Sequence, residues 1–211
     1  PGPLPPPSPP LRHVTQLHAA LGASLASFAD DAAAAAAAST PLDPLRARLR
    51  FLRSLLAFHA ASEDDVLLPV LRDLQREDGG VGAAAHACDA DHPSPCDHHQ
   101  HAGGEAAALA TVGRLLADAT ASARRGGRDA GDLGEAVAAA ARRAADHLSA
   151  HMAAEEATVL PPLLTRLCAG SQRALLWRTL RAMPARVLRR LWPWLANARG
   201  GAAVVALLAD A

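Results

Sequence analysis

The pattern that most constrains this chain is written in it twice. His59-Ala-Ala-Ser-Glu63-Asp64-Asp65-Val66-Leu67-Leu68-Pro69 and His151-Met-Ala-Ala-Glu155-Glu156-Ala157-Thr158-Val159-Leu160-Pro161 share one order: His, three residues, Glu, a second acid, an apolar run, Pro. Residues four apart on a helix lie on one face, so each copy aims an imidazole and a carboxylate at one point. Two such helices facing each other bring two nitrogens and two carboxylates into a shared interior space. That set is a metal site, and its mixture of nitrogen and oxygen suits iron better than magnesium or calcium.

The rest of the chain supplies helices to build it. Val14, Leu17, Leu21, Leu25 and Phe28 recur at three- and four-residue steps, which predicts a first helix from Leu11 to about Ala38. Thr40-Pro41 breaks it. A second helix runs from about Leu42 to Glu77, with Leu45, Leu49, Leu52, Leu56, His59 and Glu63 on one stripe, and Gly79, Gly80 and Gly82 end it. A third runs from near His98 to Arg124 on an apolar face of Leu109, Val112, Leu115 and Leu116. Gly126-Gly127 turns the chain into a fourth, from about Gly131 to Cys168, and a Trp-rich pair of helices split at Pro184 closes it. Pro69 and Pro161 each follow their Glu by six residues and predict a kink in both motif helices.

Four long helices with short connections predict an all-α, up-down-up-down four-helix bundle with a C-terminal Trp-rich helical extension. The expected division is a Pro-rich linker over 1–10, the bundle over 11–168 and the extension over 169–211. The Pro-rich start reads as the tail of a linker in a longer protein. Counting from each turn puts His18 level with His59 and Glu63, and His101 level with His151 and Glu155, within about two helical turns. The predicted ligands are therefore His18, His59, Glu63, His101, His151 and Glu155. His98 and His99 compete with His101 for the third-helix position, and Glu105, four residues beyond His101, is a further candidate ligand. His13 falls off the His18 face and reads as exposed; His147 reads as a polar group lining the bundle.

Composition narrows the alternatives. Positive and negative residues balance at 21 each, without the basic excess of a nucleic-acid binder. No run is long and apolar enough to span a bilayer. The 3 cysteines (Cys88, Cys96 and Cys168) are too few and scattered for a disulfide framework, which points to an intracellular, reducing compartment, nucleus or cytoplasm. Cys88 and Cys96 have seven residues between them in a His-rich loop, a spacing unlike structural zinc sites. Cys168 reads as a core thiol. Trp177, Leu180, Leu188 and Leu191 are expected to cover one end of the bundle, in preference to forming a membrane or partner surface with the neighbouring arginines. The Glu-x-x-His order of ferritin-like di-iron proteins does not occur, and the absence of Tyr excludes a tyrosyl radical.

His18-Ala19-Ala20-Leu21, His59-x-x-x-Glu63 with Asp64 and Leu68-Pro69, and His151-x-x-x-Glu155-Glu156 with Leu160-Pro161 resemble the hemerythrin-like (HHE cation-binding) family. Leu148-Ser-Ala-His151-Met152-Ala-Ala-Glu155-Glu156, with Leu176-Trp177, Met183-Pro184 and Leu191-Trp192-Pro193-Trp194-Leu195, resembles the BRUTUS-type proteins of plants and algae. In those, tandem hemerythrin domains precede zinc-binding modules of an iron-responsive RING ubiquitin ligase. The resemblance implies a non-haem centre of two iron ions, open between oxo, hydroxo and water bridges, with zinc as the minor alternative. It implies a regulatory domain that responds to iron or dioxygen and is not itself catalytic. Ubiquitination substrates would be partners through the parent protein only, because no Cys/His array of RING spacing exists in these residues. A dioxygen carrier and a di-iron oxidase are the competing functions.

Overall fold

The computed structural model describes residues 9–78, 95–125 and 130–211, with side chains over 9–77, 104–125 and 131–211. After a 3-10 turn at Pro10–Arg12 come α1 (His13–Ala37) and α2 (Asp43–Ser62), which passes through a π-helical segment, Glu63–Leu67, into α3 (Leu68–Asp78). Then follow α4 (Pro95–Arg124), α5 (Ala130–Thr158), α6 (Leu160–Arg166), α7 (Ala169–Ala182), α8 (Ala185–Arg199) and α9 (Gly201–Asp210). Among the described residues there is no strand.

The bundle is antiparallel between sequential neighbours, and cross-helix contacts fix the register. Along α1 and α5, His18 meets Glu155, a Cβ on Gly22 would lie 3.6 Å from Ser149, and Asp30 pairs with Arg142. At the other end of the same pair Gly134 comes closer still: a Cβ there would meet that of Ala36 at 2.8 Å. α2 runs back along α1, where Arg48 reaches Asp31 and the Ser24 carbonyl. α4 runs back along α2, with Arg124 on Asp43 and Gly113 beside Leu49. Small residues explain why α1 and α5 form the most extensive pair: Ala29, Ala32, Ala138, Ala141 and Ala145 are buried there, and alanine lets helix axes approach while keeping high helix propensity.

Two apolar clusters bracket a polar layer. The larger fills the bundle with Leu21, Leu25, Phe28, Leu52, Val112, Leu116, Val137 and Leu148, among others. The smaller closes one end with Leu11, Val66, Leu67, Leu71, Leu163 and Leu175. Between them lie the buried His18, His59, Glu63, Glu105, His151 and Glu155.

The two motif prolines produce different local structures. In the first copy the Leu68 amide bonds back to the Glu63 carbonyl, five residues away, and Pro69 next in line has no amide to give. The helix widens and continues. In the second copy Pro161 and Pro162 remove two successive amides, so α5 stops at Thr158, Val159 turns, and α6 restarts. The fourth helix expected through Cys168 is therefore two helices.

The C-terminal part departs from expectation in several places. It has three helices where two were expected: Gly200, at φ 87° in the left-handed region, ends α8 and opens α9. α8 covers the α1–α2 side through Val187 and Leu191 in the main core, joined by Met183 from the turn before it. Trp194 donates its indole N–H to Ser24 Oγ at 2.9 Å and meets Phe51 edge-on at 5.8 Å, with the Arg190 guanidinium 4.6 Å from the centre of the Phe51 ring. Trp177, expected to pack, is 51% exposed. Cys168, expected in the core, is exposed and contacts Ser171, because it is the residue that starts α7. His13, expected outside, is buried with Nε2 2.8 Å from Asp210 Oδ2, a partner on α9 that lies 197 residues away in sequence. His147 lies exposed beside Gly104 rather than lining the bundle.

Candidate metal centre

α1 contributes His18, the end of α2 His59, the π segment Glu63 and α5 Glu155. One donor atom from each lies within 4.8 Å of the other three, and all four residues are buried. His59 Nε2 is 2.7 Å from Glu63 Oε1 and 3.6 Å from Glu155 Oε2, while His18 Nε2 is 3.3 Å from that same Glu155 oxygen. The two imidazole rings meet edge to face at 4.9 Å.

These contacts are short polar approaches without good hydrogen-bond geometry. His18 Nε2, His59 Nε2, Glu63 Oε1 and both oxygens of Glu155 are buried with no hydrogen-bond partner. A buried polar atom left unpaired costs roughly 1–3 kcal/mol, and five of them converging on one point is an arrangement that a cation resolves. The donor set therefore fits a metal.

A second group adjoins the first. His151 Nε2 is 4.0 Å from Glu63 Oε2, and His151 Nδ1 is 3.7 Å from Glu105 Oε1, another buried atom without a hydrogen-bond partner. Glu63 thus presents one oxygen to His59 and the other to His151. Its place at the start of the π segment, on a helix whose turn widens there, is a common setting for a functional side chain. The Ser62 hydroxyl bonds the His59 carbonyl at 2.8 Å.

Glu156, the second acid of the repeated motif, accepts a hydrogen bond from His18 Nδ1 at 2.8 Å. With Nδ1 protonated toward Glu156, Nε2 carries the lone pair that faces the cluster. In the sequence this acid has no evident role, because its pairing with His18 needs the register of the folded α1–α5 pair. Glu105, read as a secondary candidate, is buried in the adjoining group beside His151 and outside the four-residue cluster. The His101, His98 and His99 side chains fall outside the described residues, although all three belong to α4.

Burial and mutual repulsion set the protonation states. Burial, then the neighbouring His59, lowers His18 to about 3, which keeps it neutral and able to ligate. Burial pushes Glu155 up to about 10, with the Glu63 charge adding to it. Glu105 rises to about 7 by burial, with His59 opposing and Glu63 assisting. For Glu63 burial also acts upward, but His59 and the other neighbours outweigh it and the group stays below the usual carboxylate range. Without metal His18 is thus a neutral imidazole, Glu63 is ionised, and Glu155 holds a proton that a bound cation must displace.

An antiparallel bundle with a buried His/carboxylate cluster at one depth defines a cation-binding helical protein of the His-rich class. The family described as Hemerythrin HHE cation binding domain matches residues 10–163, and the chain belongs to that family. No curated protein and no solved structure matches the chain.

Proposed function

We propose that the chain binds two iron ions in a non-haem centre and acts as an iron-responsive regulatory domain. The observation that carries this reading is the convergence of unpartnered, buried donor atoms from His18, His59, Glu63 and Glu155. The placement of Glu63 between His59 and His151 supports a pair of metals with that carboxylate as the shared ligand. His151 and Glu105 then border the second position, for which His101 of α4 is proposed as a further ligand. Bound iron would supply redox chemistry and an affinity for dioxygen; the chain holds it in an apolar enclosure, keeps His18 neutral and fixes that ring through Glu156.

Regulation follows from linkage. A ligand that binds only the folded bundle stabilises it, by about 2.7 kcal/mol at one hundred times its Kd, so iron supply sets the folded population. Within a BRUTUS-like ubiquitin ligase of iron homeostasis that population would govern lifetime or substrate capture, in nucleus or cytoplasm. The test is thermal unfolding of the metal-free protein with and without ferrous iron under argon, alongside metal analysis. A rise in Tm of several degrees with two irons bound supports the reading, and an unchanged Tm at full iron occupancy removes regulation by stability.

Dioxygen as a second signal has its own support. A cavity of about 50 Å³ reaches His59 and is walled by Phe58, Leu67, Leu176, Leu195 and Leu207. An apolar hollow of this kind stays dry and suits a small apolar molecule. Reversible spectral change of the ferrous protein on oxygenation tests it.

A further inference from the structure

The seam between α2 and α4 carries a cleft that the metal centre does not use. It holds about 400 Å³ and is lined by Arg46, Leu49, Arg50 and Arg53 of α2 and by Gly113 and Leu116 of α4. The three arginines stand at successive four- and three-residue steps, one stripe of the helix, where like charges repel one another. Asp43, the acid on the lining, is engaged by Arg124 at 2.8 Å and lies 4.0 Å from Arg46. Among the described residues no carboxylate pairs with Arg50 or Arg53, whereas Arg48, Arg76, Arg142 and Arg173 each have an acidic partner.

The opposite wall leaves the arginines room. A Cβ on Gly113 would lie 3.4 Å from Arg53 Nη1 and 3.8 Å from Leu49 Cδ2. Leu49 and Leu116 give the cleft a buried apolar floor, which lowers the local dielectric and strengthens charge attraction above it. Arg53 also lines a second cavity of about 130 Å³ farther along the seam, which reaches Glu105. The larger volume lies in the range of small-molecule sites, roughly 300–1,000 Å³.

We propose that this cleft binds a small, multiply charged oxyanion, a polycarboxylate or a phosphate, held by Arg46, Arg50 and Arg53. Planar guanidinium forks match carboxylate and phosphate oxygens, and one multivalent anion relieves the repulsion of all three. The cleft shares no lining residue with the metal cluster and is tested on the metal-free protein.

The experiment is calorimetric titration at low salt with citrate and, separately, inorganic phosphate; the tighter of the two names the source. Saturable binding is expected, weakened about tenfold or more in R50Q/R53Q. R178Q/R181Q removes the same charge from α7 and should leave the affinity unchanged. G113Q keeps every charge but fills the cleft, and should also weaken binding. The proposal is overturned if neither anion saturates below about 10 mM, if R178Q/R181Q is as damaging as R50Q/R53Q, or if G113Q binds as the unmodified chain does.

Discussion

Replacing Glu155 by leucine should stabilise the metal-free protein and abolish its response to iron. Glu155 is 1% exposed and neither carboxyl oxygen has a partner in good hydrogen-bond geometry. Its pKa is raised from 4.5 to about 10, so at pH 7 the fold must hold a proton that the unfolded chain releases. That difference costs the metal-free fold about 3 kcal/mol at pH 7. Glu155→Leu removes the cost and puts apolar carbon in similar space, for a gain of roughly 6–12 °C in Tm at this chain length. The pH profile carries the same signature. A raised pKa contributes stability that is full below pH 4.5 and lost as pH rises toward 10. His18, lowered from 6.5 to about 3, acts oppositely, contributing above pH 6.5 and losing that contribution as pH falls. From pH 6.5 upward the Glu155 loss is therefore unopposed by His18, at up to about 1.4 kcal/mol per unit, and Glu155→Leu should flatten it. The assay is chemical denaturation in chelator across pH 6.5–9, then repeated with ferrous iron. A less stable metal-free variant, or one that iron stabilises as fully as the parent, refutes the reasoning.

Three further changes probe separate links. Glu156→Gln weakens the acceptor that orients His18 and should lower iron affinity about 10–100-fold with little change in metal-free stability, read by competition with a chelator. Gly134→Ala raises helix propensity yet places a Cβ 2.8 Å from that of Ala36, so α1 and α5 must separate; a loss of about 1–3 kcal/mol is expected in urea unfolding. Trp194→Phe keeps an aromatic against Phe51 but strips the donor from Ser24, for a loss of about 1 kcal/mol by the same method.

Much of this arrangement was legible in the residues. The stripe from Leu45 to Glu63 could be read because leucine at three- and four-residue steps leaves His59 and Glu63 on the buried face. Repetition of His-x-x-x-Glu then implied a partner helix. What could not be read depends on distance in space. Glu156 has a role because His18 stands opposite it across α1 and α5, and His13 meets Asp210 because α9 returns to it. The two prolines look equivalent in sequence, yet one follows a π turn and the other, doubled by Pro162, ends a helix. Cys168 looks apolar by type, but its position at the start of α7 exposes it. α9 is not legible in the sequence because its Ala- and Val-rich segment has no polar stripe to set a helical period.

The central claim is that His18, His59, Glu63 and Glu155 enclose the metal. Anomalous diffraction at the iron edge from crystals grown anaerobically with ferrous iron tests it most directly. The account predicts strong anomalous density in the space those four side chains bound, with a second peak on the His151 side of Glu63. Iron found only at exposed histidines, with the interior of the bundle empty, would contradict it.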